Sequence, residues 1–77
     1  MQVTVELQAY LAQYSPSGEA VFPYDLSEGA TVQTLVRRLN VPEEMAAVIV
    51  INERSGDFED DLHEGDRVIL IPPLAGG

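Results

Sequence analysis

Cysteine is absent from this chain, and with it go disulfides, thiolate metal sites and cysteine nucleophiles. Nothing in such a composition conflicts with a reducing compartment. Lysine is absent too: all four basic residues are arginines. Without an ε-amine the chain cannot accept a second copy of itself through a side-chain isopeptide bond. Only the N-terminal amine remains, so lysine-linked polymers are excluded, whereas attachment of one copy to another protein is not. Histidine occurs once, as His63. With no second histidine and no nucleophile beside it, neither a metal site nor a catalytic triad can be assembled around it. No phosphate-cradling glycine loop is present, so any ATP chemistry belongs to a partner. Positive charge is scarce as well. Thirteen acids against four arginines give a net charge of −9, which repels phosphate backbones and argues against nucleic acid as a partner. The same charge favours encounter with a basic protein surface, besides keeping the chain in solution. Long apolar runs are missing: the longest, Met45 to Ile51, is far short of a membrane span. No basic-plus-apolar leader opens the sequence, and a cytoplasmic protein is expected.

What is present is enough for one small core. At 77 residues and 45% hydrophobic content the chain is a single globular domain, of a size that buries about 60% of its surface. Gln2 to Leu7 alternates, with Val3, Val5 and Leu7 on one face and Gln2, Thr4 and Glu6 on the other. That pattern predicts a half-buried strand, with a possible extension to Leu11. After the turn residues Ser15 to Gly18, Ala20 to Leu26 predicts a second strand, and Pro23 assigns it to an edge because proline cannot donate to a ladder. Thr31 is a candidate helix N-cap, followed by an apolar stripe of Val32, Leu35, Val36 and Leu39. Arg37 and Arg38 suit the negative end of the helix dipole, and Asn40 and Pro42 end the helix. Pro42 to Met45 fits a short helical turn. Ala47 to Ile51 and Val68 to Ile71 predict strands apolar on both faces, covered on each side or free for a partner on one. Between them, Asn52 to Asp57 reads as a turn and Phe58 to Leu62 as a short strand or loop. Asp57, Glu59, Asp60 and Asp61 lack the ligand spacing of a calcium loop and read as a solvated acidic loop, or a docking surface for a basic partner. The element order predicts an α+β fold of the β-grasp, ubiquitin-like kind. Its mixed sheet has four to five strands, the first and last lie parallel in the middle, and one helix packs across one face.

The final strand ends in Pro72-Pro73-Leu74-Ala75-Gly76-Gly77. The domain is therefore assigned to residues 1–71 and an extended tail to 72–77. The prolines fix φ and push the residue before each toward extended geometry. The glycines carry no Cβ, so their backbone fits a channel too narrow for side chains. Leu74 to Gly77 spans at most roughly 13–14 Å, enough to enter a partner's active site. Taken alone, a Gly-Gly ending also fits a loose end. A terminal carboxylate is a poor electrophile and needs activation, most simply as an acyl-adenylate.

The segment Leu62 to Gly77 carries a leucine, then Gly65-Asp66, three apolar residues, Ile71-Pro72-Pro73 and Gly76-Gly77. It resembles the small-subunit family of molybdopterin synthase, among the ubiquitin-like sulfur carriers. Gly29-Ala30-Thr31-Val32 before the helix and Val50-Ile51-Asn52 at the end of the third strand are similar to that family as well. The resemblance covers nearly the whole chain. It implies a carrier with no catalytic side chains and no bound cofactor, acting as cosubstrate. An ATP-dependent adenylating enzyme would activate Gly77, and a sulfur donor would convert the adenylate to a thiocarboxylate. The large subunit of molybdopterin synthase would then admit the tail and transfer the sulfur for molybdopterin, the ligand of the molybdenum cofactor. The resemblance makes Gly77 the reacting residue and Gly76 the thin approach. Pro72 and Pro73 become the stalk and Leu74 an anchor, with Ala75 completing the tail. A carrier for thiamin, cysteine or another thioacid pathway, a ubiquitin-like modifier of target lysines, and a plain interaction module are the other readings.

Overall fold

The computed structural model describes residues 1–73. Its five-stranded mixed sheet is built from β1 (Gln2–Leu7), β2 (Val21–Asp25), β3 (Val48–Ile51), β4 (Arg54–Ser55) and β5 (Arg67–Ile71), in the order β2-β1-β5-β3-β4. β1 and β5 are parallel, and the other pairings are antiparallel. With the single helix α1 (Val32–Arg38) this is the expected β-grasp architecture, β1 and β5 adjacent near the centre and the proline-bearing β2 at an edge. The edge leaves Pro23 free of any ladder donation.

One face of the sheet holds the core. Val3, Val5 and Leu7 on β1, Phe22 on β2, Ile49 on β3, and Val68 and Leu70 on β5 are all buried there. They pack with the helix stripe Val32, Leu35, Val36 and Leu39 in one cluster. The stripe exists because i, i+3, i+4, i+7 spacing keeps apolar side chains on one side of a helix. Both helix ends are closed by local chemistry. The Thr31 hydroxyl accepts from the Thr34 amide at 3.3 Å while the Thr34 hydroxyl accepts from the Thr31 amide at 3.2 Å, a reciprocal cap. At the other end Asn40 takes φ of 62°, its amide donates to the Arg37 carbonyl, and the Val41 amide donates to the Val36 carbonyl. That is a Schellman ending, with Val36 and Val41 both buried behind it. Of the two arginines in the last turn, Arg37 reaches Glu43 at 3.2 Å and Arg38 lies 5.9 Å above the Tyr24 ring.

Several boundaries differ from the sequence expectation. β1 stops at Leu7 and does not reach Leu11. Ala9 turns the chain with φ of 53° into a 3₁₀ segment, Ala9–Tyr14, that buries Leu11. β2 is one residue shorter at each end than Ala20–Leu26, and β3 begins at Val48. The fifth strand is not in 58–62: it is Arg54–Ser55, inside the expected turn. Asn52 and Glu53 alone make the turn, both at positive φ (50° and 69°), the geometry a two-residue hairpin of type I′ requires. Gly56 follows, where a Cβ would stand 2.6 Å from Cδ1 of Ile51.

Candidate functional site

The geometry that bears on function begins where β5 leaves the sheet. Val68, Leu70 and Pro72 alternate into the core side and are buried, while Ile69, Ile71 and Pro73 point the other way. The β3–β5 ladder ends at the pair Val48–Ile71. Pro72 has no N–H to extend it, so the chain leaves pairing at that residue. Pro72 is thus packed against the fold, and Pro73 after it is exposed. Leu74, Ala75, Gly76 and Gly77 lie outside the described residues.

Among the described residues, the buried core lies on the helix side of the sheet, and the opposite face is only partly covered. Across its middle the ladder registers align Val21, Glu6, Ile69, Val50 and Ser55, one residue from each strand. Beside that row stands the pair Val48–Ile71, so Val48, Val50, Ile69 and Ile71 form an apolar block two strands wide, contiguous with the tail's point of exit. Val48 and Val21 are each 47% exposed, high for valine and enough to mark this as the accessible apolar surface. The apolar second faces of β3 and β5 foreseen from the sequence therefore meet one another on the open side.

The acidic loop has a structural role. The carbonyls of Asp60 and Phe58 accept from the amides of Val32 and Gln33, orphan donors of the first helical turn. The Asp60 carboxylate accepts from the Asp57 amide at 2.8 Å. Among the described residues no group of three or more His, Asp or Glu side chains is arranged to hold a metal ion. His63 is exposed, with its amide donating to the Asp66 carboxylate at 2.7 Å. Beside it lies a shallow depression of about 370 Å³ bordered by Asn52, Arg54, Asp61, His63 and Asp66, whose polar rim suits water. No described helix is long and apolar enough to cross a membrane.

Two residues have structural roles that the sequence reading did not assign. Asn52 ties the β3–β4 turn to the start of β5: its Nδ2 donates to Asp66 at 2.8 Å and its Oδ1 accepts from the Arg67 amide at 3.0 Å. Its similarity to the sulfur-carrier pattern was the signal available. Glu6 was assigned correctly to the polar side of β1, yet nothing in the sequence set it beside Ile69, because pairing between distant strands is not a local property.

Three comparisons bear on identity. No curated protein matches the chain. Among solved structures, SAMP1 from Haloferax volcanii has 21% identity over 100% of both chains with a TM-score of 0.74. The complex of subunits 1 and 2 of the molybdopterin-converting factor from Helicobacter pylori matches at 24% identity over 100% of both chains, TM-score 0.61. The BexX/CysO complex from Amycolatopsis orientalis matches at 25% identity over 97% of this chain and 99% of that one, TM-score 0.63. The ThiS family model matches residues 7–77, all but the first residues of the chain. The chain belongs to the ThiS family, and is a ThiS-like sulfur carrier on the ubiquitin-like β-grasp fold.

Proposed function

We propose that the chain carries sulfur as a thiocarboxylate on Gly77 and delivers it, as small subunit of a molybdopterin synthase, for molybdenum cofactor biosynthesis. The observation that carries this reading is the ending of β5: a near-central strand that runs into a packed Pro72 and an exposed Pro73, next to an open apolar face. Such an ending holds the tail's origin rigid while leaving its last residues free of side-chain bulk. The chain supplies position and a carboxylate; chemistry comes from partners. An adenylating enzyme joins the Gly77 carboxylate oxygen to the α-phosphorus of ATP and releases pyrophosphate. A donor delivering sulfide then attacks the acyl carbon, AMP departs with the C–O bond electrons, and a thiocarboxylate remains. Support for a protein partner comes from the Helicobacter pylori and Amycolatopsis orientalis neighbours, both complexes of two different proteins. The block Val48, Val50, Ile69 and Ile71 is the surface on which such a partner rests while it takes in the tail.

Deleting Gly77 tests the tail chemistry. The shortened chain should keep its melting curve and lose ATP–pyrophosphate exchange with the adenylating enzyme completely. Normal exchange by the shortened chain would overturn it.

A further inference from the structure

The open face is interrupted by one charged residue on β1. In the row Val21–Glu6–Ile69–Val50, a carboxylate stands between two apolar neighbours, one from each flanking strand. Glu6 is half-buried there before any partner arrives. Its Oε2 accepts one neutral hydrogen bond, from Nε2 of Gln8 at 3.0 Å. Arg67 lies on the same face, opposite Thr4 and one pair from Glu6, but no ion pair among the described residues includes Glu6. A partner that covers Val48, Val50, Ile69 and Ile71 also strips water from this carboxylate. A carboxylate dehydrated with one neutral donor is costly, and a cation placed against it offsets that cost.

We infer that Glu6 is a specificity-determining residue of the open face, and that the adenylating enzyme which activates this chain sets an arginine or lysine against it. The inference rests on the carrier reading above and adds the chemistry of its docking partner. Two further observations agree with a basic partner. The chain's net charge of −9 attracts one over distance, and the patch beside Glu6 reaches the end of β5 at Ile71, from which the chain leads to the carboxylate that the enzyme must activate. An apolar surface without a matching cation would satisfy the four aliphatic side chains and leave Glu6 unpaired, so the residue rejects such partners as well as selecting the right one.

The experiment measures pyrophosphate release by the adenylating enzyme against carrier concentration, over a range of ionic strength. The carriers are the parent chain, Glu6→Gln, Glu6→Lys, and Glu28→Gln as a control. Glu28 is exposed in the turn before the helix, outside the sheet and the acidic loop, so its change to Gln removes the same unit of charge off the open face. Because Glu6 points away from the core, the Gln variant is expected to melt as the parent does. For Glu6→Lys the KM should rise about tenfold or more with kcat unchanged, since like charges then oppose one another. For Glu6→Gln the KM should rise by less and its dependence on salt should flatten, while Glu28→Gln behaves as the parent. Equal KM and salt dependence for parent and Glu6→Gln would overturn the inference. So would an equal shift with Glu28→Gln, which would make the effect one of overall charge. Self-association of Glu6→Gln with unchanged KM would also overturn it, making Glu6 a solubility device. A parent chain that an active enzyme does not adenylate at all would instead overturn the carrier reading.

Discussion

At the scale of single residues, Glu53 stands in a backbone conformation that side chains rarely adopt. It takes φ of 69° in the β3–β4 turn, directly after Asn52 at 50°. Asn is well suited to the first position of such a turn, but the second ordinarily falls to glycine, because a Cβ in this region crowds its own backbone. Glu53→Gly is therefore expected to stabilise the domain, by up to about 1 kcal/mol after the extra freedom of glycine in the unfolded chain is counted. Urea unfolding would register this as a higher midpoint with an unchanged slope. A lower midpoint would mean that the Glu53 side chain contributes more than its backbone geometry costs. Asn52 itself repays its conformation through the two hydrogen bonds to Asp66 and Arg67 that fasten the hairpin to β5.

At the scale of elements, the helix is where sequence and structure agree most closely. A seven-residue helix is too short to be stable alone, so its stability must come from the stripe it buries and from its two closed ends. Leu35, fully buried in that stripe, should cost about 2–5 kcal/mol when cut back to alanine. Thermal denaturation followed by circular dichroism would detect this. An unchanged transition would remove the helix stripe from the core. The same logic explains what could be read beforehand. β1, the helix and the edge position of β2 were legible because period-two alternation, 3.6-residue spacing and a proline each act over a few neighbouring residues. The 3₁₀ segment was not, since Ala9 adopts a left-handed backbone that no composition rule assigns to alanine. β4 was hidden because Asn-Glu replaces the Asn-Gly pair that would have announced a two-residue hairpin. Nor could the two apolar faces of β3 be told apart, because Val48 to Ile51 is aliphatic throughout and only its pairing with β5 decides which side chains meet the helix. For the candidate site, Pro72 and Pro73 mark in the sequence where the last strand ends, but that Pro72 is buried and Pro73 exposed follows from the phase of β5.

At the scale of the whole molecule, the fold divides its labour between two sheet faces. One face and the helix make a core sufficient for a small domain. The other presents Val48, Val50, Ile69 and Ile71 with the half-buried Glu6 beside Ile69, in a chain whose net charge is −9. β5 contributes to both faces and ends at Pro72 and Pro73, so a partner seated on the open face is already beside those two residues. If the chain carries sulfur at Gly77 as proposed, incubation with ATP, a sulfide donor and its adenylating enzyme should change its intact mass by the exchange of one oxygen for one sulfur. Fragmentation should place that exchange at Gly77. An unchanged mass, with an enzyme shown to be active on another carrier, would rule the carrier reading out.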